Sequence, residues 1–292
     1  MSLLVTMMLA GSLALAAHQN DARTKAAGLT SADPVARTRA ACELRELGSD
    51  AAPAISQLVA LLADGSPVER SVCGERTWGL GRHEKGNALE MTSPGEQAAS
   101  ALVAIGSPAY EPLTRALKGP AWIARKNAAW GLGALGKREA APLLTGSLRD
   151  SEAAVRHESA WALGALDADI AVPALIDALK DVDAGVREQA AWALGAIGDR
   201  RAVSALGTLL KDPEARPRQQ AAWALGALGD HGAVDPLILA LSDDVASVRE
   251  QAAWALGAIG DRRASPALTK SLKDPDVRVR RQAAWALGAI GG

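Results

Sequence analysis

The side chains able to bind a metal or pass a proton are few and scattered. There are four histidines, His18, His83, His157 and His231, and two of them are followed by glutamate, giving His83-Glu84 and His157-Glu158. An imidazole with a carboxylate beside it can ligate a first-row metal or act in general acid–base chemistry, but a metal site needs several such groups to converge. The phrase that holds His157-Glu158 recurs down the chain. At the matching positions it reads Glu188-Gln189, Gln219-Gln220, Glu250-Gln251 and Arg281-Gln282, so the pair is not repeated. Neither Cys42 nor Cys73 has a Cys or His neighbour at metal-ligand spacing. No Ser/His/Asp constellation and no glycine-rich phosphate loop stands at useful spacing. The sequence therefore predicts no catalytic residues, no metal and no cofactor, and binding becomes the chemistry to look for.

Tryptophan carries that expectation. Trp130, Trp161, Trp192, Trp223, Trp254 and Trp285 are each 31 residues apart, inside the phrases NAAWGLGALG, ESAWALGALD, QAAWALGAIG, QAAWALGALG, QAAWALGAIG and QAAWALGAIG. Residues 188–202 and 250–264 are identical, as duplication of one unit would leave them. A fixed period of this length is the signature of a repeat array.

Each unit reads as two helices. In the unit near Ile170, a first helix runs roughly over 170–180, with Pro173 in its first turn, where the missing N–H is tolerated. The second runs from about Ala184 to Ile197 and ends at Gly198. At 100° per residue, Val186, Ala190, Ala193, Leu194 and Ile197 form one apolar stripe. One such pair cannot bury both its faces, so stability must come from stacking. Trp192 lies about 210° from the centre of that stripe. Two placements follow. The indole packs over the Ala/Gly surface of the adjacent unit, burying ~150–250 Å², or it stands exposed as part of an aromatic ladder. Both hold if one face packs and one edge stays open.

A second ladder runs beside the first. Asp150, Asp181, Asp212, Asp243 and Asp274 are also 31 apart, and six residues after each stands Arg156, Arg187, Arg218, Arg249 or Arg280. The Asp is placed to cap the second helix or to accept from nearby backbone N–H groups. The Arg can reach the Asp of its own or the adjacent unit, linking repeats. A phosphate-binding Arg row is the alternative, weakened by the matched Asp beside each Arg.

At these residues the chain resembles the HEAT-repeat family in its short bacterial form, a helix pair with proline in the first helix and an Asp then an Arg leading the second. The resemblance covers about 108–291 in six full units and extends more weakly to about 33–63 and 96–106. It implies an all-α fold, a right-handed α-solenoid of stacked antiparallel helix pairs, serving as a protein-interaction scaffold. In the related armadillo repeats, inner-face tryptophans bind extended peptides with an Asn one turn later. Here that position is Ala134, Ala165, Ala196, Ala227, Ala258 or Ala289, so that clamp is missing. Deoxyhypusine hydroxylase, a di-iron enzyme with HEAT-type repeats, needs four His-Glu pairs, and this chain has two. A phycobilin lyase of this architecture would need a tetrapyrrole-sized cleft, and a DNA glycosylase a basic concave face with aromatic stacking.

The pattern breaks in three places. RAACELRELG (39–48) and QAASALVAIG (97–106) are second-helix phrases without Trp, with PAISQLVALLAD (53–64) as a first helix between them. Cys42 and Ser100 are 58 residues apart, one repeat plus 27, which places an insertion at about 64–95 containing Cys73, Trp78, His83 and Glu84. The insertion reads either as a partner-binding loop or as an elaborated N-terminal cap. Cys42 and Cys73 read either as a disulfide or as a buried helical thiol and an unrelated loop thiol. The last unit is followed only by Gly291-Gly292. That predicts an end face around Val279, Ala283, Ala286 and Leu287 that is partly open and self-associates, unless adjacent-unit packing already covers it.

Residues 1–17 are uncharged and mostly apolar, with an A-x-A site at Ala14-Leu15-Ala16. They read as a signal peptide, followed by a linker at 18–32, irregular repeats at 33–106 and six regular repeats at 108–292. Export to the periplasm or medium follows; the alternatives are a cytoplasmic protein or part of a membrane protein. The 292 residues are 49% apolar and 22% charged, with no Phe, one Tyr and a net charge of −1. That balance gives no global attraction to nucleic acid or to an anionic membrane, and it leaves Ala and Leu to fill a core of closely approaching helices. The expected function is a non-enzymatic scaffold that binds a protein of unknown identity through its concave face or the 64–95 loop. A self-assembling structural module and an accessory lyase are the alternatives.

Overall fold

The computed structural model describes residues 21–74 and 91–291. It is all-α apart from one two-residue strand pair. The chain divides into two compact units, one running through Gly136 and the other starting at Lys137.

In the second unit the helices alternate short and long. They are α6 Ala141–Ser147, α7 Ala153–Ala165, α8 Val172–Ala178, α9 Ala184–Ile197, α10 Val203–Leu209, α11 Ala215–Leu228, α12 Val234–Ala240, α13 Ala246–Ile259, α14 Ser265–Ser271 and α15 Val277–Gly291. The preceding α1 Pro34–Leu47, α2 Ile55–Leu61, α3 Pro94–Ile105, α4 Tyr110–Leu117 and α5 Trp122–Ala134 belong to the first unit. Within each unit each short helix pairs with the long helix after it, and successive long helices pack directly on one another. This is the stacked antiparallel α-solenoid expected from the 31-residue period.

The sequence explains each boundary. The first helix of a repeat is entered through a 3₁₀ turn, such as Arg200–Ala202, which leaves seven α-helical residues after it. The second ends at a glycine in the left-handed conformation, where L side chains are strained: Gly198 at φ 78°, Gly229 at 62° and Gly260 at 75°. Asp167 holds this position at φ 51° in its repeat. Aspartate is among the residues that tolerate that region best. Val186, Ala190, Ala193 and Leu194 of α9 are fully buried with Leu175 of α8, and the same register is buried in the repeats on either side.

The last repeat corrects one expectation. Val279, Ala283 and Ala286 are fully buried, because they face the helices before them, and Leu287 is half-buried. What α15 exposes is the opposite side, with Val277, Arg281, Ala284, Trp285 and Gly288.

A further correction falls in the first unit. Residues 21–30, expected as a linker, are helical, and Ala22, Ala26 and Leu29 are buried, with the 3₁₀ segment Ala27–Thr30 against α1. The compact unit continues past the irregular repeats through the helix pair α4 and α5 to Gly136. The insertion leaves the helix pair intact because its ends meet. The Gly95 N–H donates to the Asp64 carbonyl at 2.9 Å, and β1 (Val68–Glu69) pairs antiparallel with β2 (Met91–Thr92). A β-carbon on Gly95 would lie 2.7 Å from the Leu62 carbonyl oxygen and 2.8 Å from that of Asp64, so only glycine allows the ends this close. Cys42 and Cys73 are disulfide-bonded, with their α-carbons 5.6 Å apart. The bond ties the start of the insertion to α1. Residues 1–17, expected as a signal peptide, and Trp78, His83 and Glu84 lie outside the described residues.

Candidate functional site

The Asp/Arg ladder joins repeats. Arg187 donates from Nε and Nη2 to the two carboxylate oxygens of Asp212 at 2.6 and 2.8 Å, and from Nη1 to the carbonyls of Asp181 and Val182 at 2.8 and 3.3 Å. Arg156 meets Asp181, Arg218 meets Asp243 and Arg249 meets Asp274 in the same bidentate way. Each Arg therefore binds the carboxylate of the following unit and a carbonyl of its own. The Asp does not cap the second helix. Its other contact is the backbone N–H two residues on, as from Asp183 to Asp181, which closes the turn. Asp150 takes the equivalent bond from Glu152. Arg280 donates to the carbonyls of Asp274 and Pro275 and, among the described residues, to no carboxylate.

The first unit carries a copy that the insertion hides from a fixed period. Arg37 donates to Asp64 at 2.7 Å and to the carbonyls of Ser31 and Ala32. Arg125, 31 residues before Arg156, donates to the carbonyls of Gly119 and Pro120. Asp64 was hidden because its repeat is split by the insertion, whereas Arg125 was legible from its spacing.

Burial raises the carboxyls of Asp181, Asp212 and Asp243, but the guanidinium, the backbone N–H and the nearby positive charge together outweigh it, so all three sit below the ordinary value. For Asp274 the Arg249 hydrogen bonds are the largest influence, in the same direction. With their hydrogen bonds spent on protein groups, these guanidiniums form a structural seam rather than a phosphate row.

The tryptophans combine the two placements. The Cζ3 atom of Trp192 lies 2.7 Å from where a β-carbon on Gly164 would stand, and Trp223 is set likewise on Gly195, Trp254 on Gly226 and Trp285 on Gly257. The glycine one turn after Trp161, Trp192, Trp223 and Trp254 thus receives the next repeat's indole. Yet Trp130, Trp161, Trp192, Trp223 and Trp254 are only half-buried, and Trp285 is 49% exposed.

One turn before four of these tryptophans stand Gln189, Gln220, Gln251 and Gln282, all half-buried. Residues three apart share a helix face, so each Gln neighbours its Trp. Among the described residues, neither these four carboxamides nor the indole N–H groups of Trp192, Trp223, Trp254 and Trp285 have a hydrogen-bond partner. Sequence reasoning missed the Gln row, although it is written into the repeated phrase QAAW. In earlier repeats the position is structural. Asn127 is buried and donates to the Leu62 carbonyl at 2.9 Å, and Glu158 is buried. His157 and Glu158 stand 3.8 Å apart. Among the described residues no cluster of three or more His, Cys, Asp or Glu could hold a metal ion, and no helix is long and apolar enough to cross a membrane.

The fold and its repeated seam define an α-solenoid of helix pairs. A profile of HEAT repeats matches residues 110–187, 172–256 and 234–292, and the chain belongs to the HEAT-repeat family. No curated protein matches it. Among solved structures, YibA of Escherichia coli is similar at 17% identity and a TM-score of 0.63, over 94% of this chain and 95% of that one. A structure of Kap95p with RanGDP is similar at 13% identity and a TM-score of 0.64, over 92% of this chain and 42% of that one. An engineered protein is similar at 24% identity and a TM-score of 0.50, over 92% and 78%. Identities this low speak to the fold alone.

Proposed function

We propose that the protein is a non-enzymatic scaffold that holds a protein partner on the face made by its second helices. The observation that carries this reading is the row of partly exposed indoles and of carboxamides unpartnered among the described residues, one pair per repeat on α9, α11, α13 and α15. A rigid aromatic set on a glycine offers contact area at little entropic cost, and an exposed donor beside it gives direction. Alanine and glycine contacts bring the second helices close together, which makes theirs the inner side of the second unit. We further propose export: the Cys42–Cys73 disulfide suits an oxidising compartment, and the apolar residues 1–17 suit a leader.

The test is site-specific photocrosslinking in cells of the source organism. A photoreactive residue at Gln220 is expected to trap a protein that the same residue at Thr208, exposed on a first helix, does not. Equal adducts from both positions would refute the proposed face. Recovery of the crosslinked protein in the envelope fraction tests export.

A further inference from the structure

We infer that the Trp/Gln row binds a proline-rich segment of its partner in the polyproline II conformation, one ligand turn per repeat. The inference rests on the scaffold reading above and names the chemistry of the partner.

Hydrogen bonding decides the class. In each of the last four units the pair Gln189/Trp192, Gln220/Trp223, Gln251/Trp254 or Gln282/Trp285 offers three N–H donors, two from the amide and one from the indole, against one acceptor oxygen. The row is thus rich in donors. A chain of ordinary residues laid along it would bring a backbone N–H for every carbonyl and leave most of those N–H groups without acceptors. Proline has no N–H, and a polyproline II segment makes no internal hydrogen bonds, so its carbonyls stand free to accept. The row's own side chains are uncharged, so no fixed charge selects an acidic or basic ligand.

Spacing decides the conformation. Packed helices lie about 8–10 Å apart, depending on the side chains at the contact. Here Ala224 and the Trp223 ring sit directly against Gly195. A polyproline II helix turns once per three residues and rises about 9 Å in doing so. Every third residue therefore meets an equivalent Trp, as the ladder repeats. In a β-strand, same-side residues recur every 6.6–6.8 Å or so, and the strand falls out of step within two units. A prolyl ring flattens against an indole face, the contact on which other proline-rich recognition grooves rely. Each indole is already fixed from below by the glycine of the preceding unit, so ordering it costs the complex little.

The experiment uses the full chain and a synthetic peptide of twelve prolines, with a twelve-residue Gly-Ser peptide as control, followed by tryptophan fluorescence and calorimetry. Dodecaproline is expected to shift the emission and to bind at least ten-fold more tightly than Gly-Ser. The triple variant Gln189→Leu, Gln220→Leu, Gln251→Leu removes donors without touching the Trp/Gly seam. It is expected to melt like the wild type and to bind dodecaproline about ten-fold more weakly. Equal binding of the two peptides, or undiminished binding by the triple variant, overturns the inference. Competition separates it from the reading beneath it. If dodecaproline added to a lysate before irradiation fails to suppress the adduct formed from position 220, the proline-rich ligand is wrong and the scaffold stands. If it suppresses that adduct, both are supported.

Discussion

The Cζ3 atom of Trp223 lies 2.7 Å from the point where a β-carbon on Gly195 would stand, and the α-carbon of Ala224 lies 2.9 Å from it. The second of those neighbours is backbone, so a methyl group there cannot be accommodated by a side-chain rotation alone. Gly195→Ala is expected to destabilise the protein by about 2 kcal/mol, because overpacking exceeds the gain in helix propensity. Gly288 occupies the same register in the last unit, yet no heavy atom lies within 4 Å of its notional β-carbon. Gly288→Ala is expected to be neutral or to stabilise by up to ~1 kcal/mol. Urea unfolding followed by tryptophan emission measures both, and a Gly195→Ala protein as stable as the wild type would show that the indole is not seated as described.

That pair also shows what could be read from the sequence. The 31-residue period fixes α9 at Ala184–Ile197 and its end at Gly198, because apolar spacing and a terminal glycine are local signals. The indole-on-glycine contact was half legible, since Trp192 stands off the apolar stripe and small residues surround it. The contacts that were not legible lie at the insertion. Asp64 with Gly95 forms only because the ends of that segment meet in space, and Arg37 with Asp64 spans 27 residues where the regular pairs span 25. The helix at 21–30 lacks a recognisable apolar period and becomes ordered by covering α1. The Gln row was overlooked because a glutamine on a helix surface is usually only solvated. What distinguishes it is its recurrence beside a Trp that is itself not fully buried.

The ion-pair seam should be sensitive to truncation and uneven along the chain. Arg187→Ala leaves the Asp212 side chain, only 5% exposed, without its bidentate partner. Removing one member of a buried pair strands the other charge, and a loss of about 3 kcal/mol is expected. Arg280→Ala removes bonds to two carbonyls and no carboxylate, and about 1 kcal/mol is expected. Chemical denaturation of the two variants side by side checks the ranking, and equal losses would mean that the carboxylate contact adds nothing.

Acid should weaken the same seam. The carboxyls of Asp181, Asp212, Asp243 and Asp274 lie below their ordinary value in the folded protein. The unfolded chain therefore takes up protons first, near pH ~3.9. The stabilisation is fully present above that pH and is lost as pH falls below it towards the folded-state values. The urea midpoint should hold between pH 7 and 5 as far as these groups are concerned, then drop between pH 4 and 2.5. The drop should be smaller in Arg187→Ala, where one carboxylate has already lost its partner. The same acid dependence in both proteins would place it elsewhere.

The disulfide makes the most local prediction. Cys42 and Cys73 close a segment with a sequence separation of 31, and a cross-link of that span stabilises by about 3–4 kcal/mol in the loop-entropy account. Cys42 lies in the core of α1, where its register matches that of the tryptophans in the regular repeats, so the sulfur joins the insertion at the place an indole would otherwise occupy. Because repeat arrays are held by nearest-neighbour contacts, a loss at one repeat need not spread along the chain. Cys73→Ser is therefore expected to raise amide hydrogen exchange in α1 and in residues 68–73, with α9 through α15 unchanged. A thiol reductant should reproduce the effect in the wild type and do nothing further to the variant. Uniform loss of protection across both units would show that the protein unfolds as one cooperative body and that the bond's influence is not confined to the end it staples.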